Sequence, residues 1–107
     1  MNSSTENPSF PSLCIPRIPS SVTREHIYKT FDTFHFGSIQ RIDIIPLHSG
    51  KNTSHQRVFL HFKSWNSHSL EVSKIRDKLI SGETIKIIYH GPYIWKVSLN
   101  RTPFLPH

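Results

Sequence analysis

A chain of 107 residues, with 13 Lys and Arg against 7 Asp and Glu, carries a net charge of +6 before any of its eight His takes a proton; that length suits one core rather than two. The single cysteine, Cys14, excludes an internal disulfide and a cluster of cysteine ligands. No run approaches the roughly 18 apolar residues of a membrane span, and MNSSTENPSF lacks the basic-then-apolar order of a signal peptide, so an intracellular protein with no membrane partner is expected.

Residues 1–11, rich in Ser, Asn and Pro, read as a flexible N-terminal tail, and 102–107, with two Pro, as a second tail; the folded domain is expected over 12–101. Ser12 to Ile18 predicts a short strand in which Leu13, Ile15 and Arg17 share one face, with Pro16 and Pro19 limiting its ladder. Ser20 to Thr23 offer caps for a first helix: Glu25 suits its positive end, and Ile27, Phe31 and Phe34 recur at helical spacing until Gly37 stops the pattern. Ile39, Ile42 and Ile44 predict a second strand ended by Pro46, and Leu47 to His55 reads as a polar, flexible connection.

HQRVFLHF, residues 55 to 62, is the clearest strand: Val58, Leu60 and Phe62 point one way, and Arg57, Phe59 and His61 the other. Asn66 or Ser67 would cap a second helix with Leu70, Val72, Ile75 and Leu79 along one side and Gly82 as its stop. Thr84 to Tyr89 and Tyr93 to Asn100 are strand-like runs around the HGP turn, with Trp95 and Trp65 as core anchors. The order is β-α-β-β-α-β with an extra strand before the last. This is the split βαβ, ferredoxin-like α+β pattern, an antiparallel sheet with two helices on one face and the other face open.

Three segments resemble an RNA-recognition-motif domain over about residues 12 to 101. HQRVFLHF is similar to that family's octapeptide on the third strand, LCIPRI (13 to 18) to its hexapeptide on the first, and FGSIQRIDII to its Phe-Gly entry into the second. CIPRIP, GSIQRIDIIP, VFLHFKSW and YIWKVSLNR also resemble small proteins of this fold encoded by large DNA viruses. The resemblance implies that rings on the two central strands stack on bases. Phe59 keeps such a place, whereas Arg57 and Cys14 stand where rings are usual and Gln56 replaces the usual glycine.

The expected site is therefore a basic open face: Arg57, Phe59 and His61 on the third strand, Arg41 on the second, Lys96 on the last and Cys14 on the first. Lys51 in the loop, and Arg101 beyond the last strand, would add phosphate contacts. Single-stranded RNA, then DNA, is the expected partner, bound weakly and with low sequence preference. A protein-protein interaction module of the same fold, docking onto another protein or onto a second copy of itself, is the alternative, and a plain solvated face the third reading. His55 and His61 share the face with Arg57, so their protonation near pH 6.5 would strengthen polyanion binding between about pH 7.5 and 6. No HExxH, GxSxG, GxxxxGK[ST] or GxGxxG occurs, so neither an enzyme nor a metal or other cofactor is expected.

Overall fold

The computed structural model describes residues 7–49, 52–90 and 93–100. Five strands and two helices follow one another as β1 (Leu13–Pro19), α1 (Arg24–Phe34), β2 (Gly37–Ser49), β3 (Asn52–Trp65), α2 (Leu70–Ile80), β4 (Ile85–His90) and β5 (Tyr93–Leu99). The strands form one antiparallel sheet in the order β2-β3-β1-β5-β4. The last strand thus lies beside the first, and the additional strand β4 forms an edge.

Alternation along the strands decides what is buried. Leu13 and Ile15 on β1, Val58, Leu60 and Phe62 on β3, and Trp95 and Val97 on β5 lie in one core with Ile27 and Phe31 of α1 and Val72 and Leu79 of α2. Phe31 stacks on Trp95 with ring centroids 6.2 Å apart, and Phe36 on Trp65 at 5.8 Å, so aromatic area fixes how α1 and the ends of β2 and β3 meet. Both tryptophans occupy the core positions expected of them.

Both helices begin on hydroxyl caps. Thr23 Oγ1 accepts from the His26 amide at 3.1 Å, as the 20–23 cluster predicts. The second cap is Ser69, not Asn66 or Ser67: its Oγ accepts from the Val72 amide at 3.2 Å. Asn66 instead closes a local turn, its Oδ1 accepting from the His68 amide, while its Nδ2 donates to the His35 carbonyl. The first helix ends earlier than Gly37 suggests, with His35 at φ 56° as the left-handed cap. Gly37 serves a different need, since a Cβ there would collide with the Ser64 carbonyl across the β2–β3 pair. Gly82, at φ 98°, stops α2 as expected, but Leu70 is 70% exposed and does not join that helix's buried side.

Three further expectations are corrected. Residues 47–55 are largely hairpin rather than a loose connection: Leu47 pairs with His55 and Ser49 with Asn52. Pro46 does not end β2 but pairs with Gln56, and β2 tolerates it because an edge strand has one side without ladder bonds. On β1 the register shifts between Ile15 and Ile18, so Ile18, 1% exposed, takes the inward place assigned to Arg17, and Arg17 faces outward.

The N-terminal tail also needs redrawing. Residues 1–6 lie outside the described residues, but 7–11 are fastened across β3 and α2. The Trp65 amide donates to the Pro8 carbonyl at 2.7 Å and its indole Nε1 to the Pro11 carbonyl at 3.0 Å. Arg76 donates from Nε to the Phe10 carbonyl and from Nη2 to the Asn7 carbonyl, both at 2.8 Å. The expected C-terminal tail, 102–107, lies outside the described residues.

Candidate nucleic-acid interface

On the face away from the core, register builds a continuous row across four strands: Ser98 of β5, Cys14 of β1, Phe59 of β3 and Asp43 of β2. Phe59 is partly exposed at the middle of that row. One step along β3 lies Arg57, exposed, opposite Ile45 on β2 and donating from Nε to the Pro16 carbonyl at 3.3 Å. One step the other way lies His61, opposite Arg41. The trio 57, 59 and 61 therefore emerges on the face opposite Val58, Leu60 and Phe62, as the alternation predicts.

The side chains around Phe59 are held by one another. His61 Nδ1 lies 2.9 Å from Ser12 Oγ, and His61 Nε2 lies 3.0 Å from Asp43 Oδ2. Arg41 Nε approaches the same carboxylate, at 3.0 Å from Oδ1 and 3.2 Å from Oδ2. A Ser-His-Asp sequence of contacts thus runs from Ser12 through His61 to Asp43, and Arg41 shares the carboxylate. His55 lies near Arg17, whose Nη2 is 3.4 Å from its Nδ1.

Charge is sorted by element. The strands carry Arg17, Arg41, Arg57, Lys63, Lys86 and Lys96 against Asp43 alone, an excess of five positive charges. In α1, Arg24 and Lys29 are balanced by Glu25 and Asp32, and in α2 Lys74, Arg76 and Lys78 face Glu71 and Asp77. Each strand cation neighbours an inward-facing residue in sequence and is exposed. Lys86 and Lys96 even stand opposite each other in the β4–β5 register, an arrangement of like charges that costs stability unless an anion lies between them.

Burial raises the Cys14 thiol above its ordinary value, and the Arg57 guanidinium pulls weakly the other way, so Cys14 remains a neutral thiol in the row beside Phe59. Of the sequence-derived site, Arg57, Phe59, His61, Arg41 and Cys14 come together around one ring. Lys96 lies further out on β5, and Lys51 and Arg101 lie outside the described residues. Sequence reasoning missed Arg17, which the β1 bulge turns outward, Lys63, and Ser12, whose hydroxyl reaches a histidine 49 positions away. Among the described residues no group of His, Cys, Asp and Glu could hold a metal ion, and no helix is long and apolar enough to cross a membrane. Comparison with protein-family models, curated proteins and solved structures finds no match for this chain.

Proposed function

We propose that this chain is a ferredoxin-like domain of the RNA-recognition type that binds single-stranded nucleic acid, RNA before DNA, on its outer sheet face, and that it catalyses no reaction. The observation behind this reading is the segregation of charge: nearly all of the chain's net positive charge lies on the strands, whose outer face also carries the partly exposed Phe59, while the helices are close to neutral. A phosphate chain crossing this face would meet Arg17, Arg57 and the Lys86–Lys96 pair, and a base laid on Phe59 would displace water from the ring. One ring supplies only about 1 to 3 kcal/mol, which places affinity in the micromolar range or weaker.

Fluorescence anisotropy of a labelled single-stranded RNA, titrated at two salt concentrations, tests this. Contact with roughly three phosphates gives a slope of log affinity against log salt near −2, and Phe59→Ala weakens binding about fivefold or more. Affinity that ignores both salt and Phe59→Ala contradicts the reading.

A second reading rests on the β4–β5 hairpin. Ile88 and Ile94 are cross-strand partners, 63% and 49% exposed, on the edge strand and its neighbour. Such an apolar pair beside an open strand edge suits pairing with a second copy of the chain. Light scattering after gel filtration decides it: a dimer that Ile94→Lys converts to monomer supports this reading, and a monomer at high concentration removes it.

A further inference from the structure

Resting on the single-stranded reading above, we propose that Asp43 makes the sheet select guanine as the base stacked on Phe59. Asp43 is the register partner of Phe59 on β2, so their Cβ atoms are separated by the roughly 4.5 to 5.5 Å of directly opposed residues. A base centred over the ring therefore presents one edge to this carboxylate. The opposite edge faces Cys14 and, one strand further, Ser98.

The carboxylate is oriented rather than loose. His61, itself held by Ser12, occupies one lone pair of Oδ2, and the Arg41 guanidinium spans both oxygens. An ionised carboxylate offers about four acceptor sites, so one on Oδ1 is open, and one more on each oxygen becomes open when Arg41 withdraws. Arg41 is 66% exposed, and ion pairs at such exposure contribute little, so a ligand displaces it at small cost.

An ionised carboxylate only accepts hydrogen bonds. On the edges used for pairing, guanine alone presents two adjacent donors, N1–H and the N2 amino group, matching two oxygens. Adenine and cytosine each set a ring acceptor beside their amino donor, and uracil flanks N3–H with two carbonyls; each of these turns a lone pair toward the negative charge. The lone carboxylate of an otherwise basic sheet, in register with its one central ring, thus reads base identity while the cations hold phosphate.

The test compares short labelled uridine-run RNAs carrying at their centre a single uridine, guanosine, inosine, adenosine or cytidine, titrated against the wild-type chain and Asp43→Asn. Inosine keeps N1–H but lacks the amino group. The expected result is guanosine binding at least about fivefold tighter than the others, inosine included. Asp43→Asn removes that preference while leaving affinity for the uridine run equal or higher, because a negative charge has left the face. Wild-type affinities for guanosine and uridine within about twofold of each other, or a preference that survives Asp43→Asn, overturn the proposal while leaving single-stranded binding intact. Absence of salt-sensitive binding to every oligonucleotide removes both.

Discussion

Gln56 shows how one residue can matter without touching a ligand. It is the one polar side chain among the buried described residues, and its Nε2 donates to the Val22 carbonyl at 2.7 Å and the Pro19 carbonyl at 3.2 Å, tying β3 to the turn that leads into α1. Gln56→Ala removes the donor from the Val22 carbonyl and leaves the Pro19 carbonyl with the Val22 amide, and urea unfolding is expected to show a loss of about 1 to 3 kcal/mol. At Cys14 the consequence is chemical. A thiol raised by burial holds little thiolate at neutral pH, so iodoacetamide should react more slowly with the folded chain than with the unfolded one, the reaction accelerating only at more alkaline pH. Arg57→Ala removes the one interaction favouring the thiolate and should slow alkylation further; faster alkylation in that variant would contradict the contact. At this scale the sequence was readable where a single alternation decides direction, as for Arg57, Phe59 and His61. It was silent where a partner is remote, since nothing local to Ser12 points to His61, and Gln56 read only as a departure from a glycine.

Among the elements, the helices and the core strands were legible from periodicity because buried positions recur at fixed intervals within each segment. Three features were not. The extension of the β2–β3 hairpin through Leu47 and His55 depends on pairing between polar stretches that have no hydrophobic pattern of their own. The β1 bulge moves one residue across the sheet, and a sequence with Pro16 beside Arg17 does not say which of its neighbours will turn inward. The fastening of residues 7–11 relies on donors from Trp65 and Arg76, more than fifty positions away, and so composition alone described that segment as a tail. Those bonds make a prediction at the same scale: Arg76→Ala should cost about 1 to 2 kcal/mol of stability and speed amide exchange near Phe10 and Trp65, while leaving polyanion binding unchanged. Unaltered exchange in that variant would show that the Trp65 bonds hold the segment alone.

For the molecule as a whole, the two halves divide their tasks by charge and burial. The helices cover the sheet's apolar side with nearly balanced charge, and the outer side collects the cations around Phe59, with Asp43 as the exception that the guanine proposal uses. Net charge alone indicated a polyanion partner from composition, but it could not say where the cations would gather. That followed from strand alternation, the outward turn of Arg17 and the pairing of Lys86 with Lys96. Mapping amide chemical shifts during titration with a short single-stranded RNA measures this most directly. The account predicts shifts clustered at Ser12 to Arg17, Arg41 to Ile45, Arg57 to Lys63, Lys86 and Lys96, with the exposed sides of both helices unmoved. Shifts concentrated on α1 or α2 with the strand residues silent, or none at saturating RNA and low salt, would contradict it.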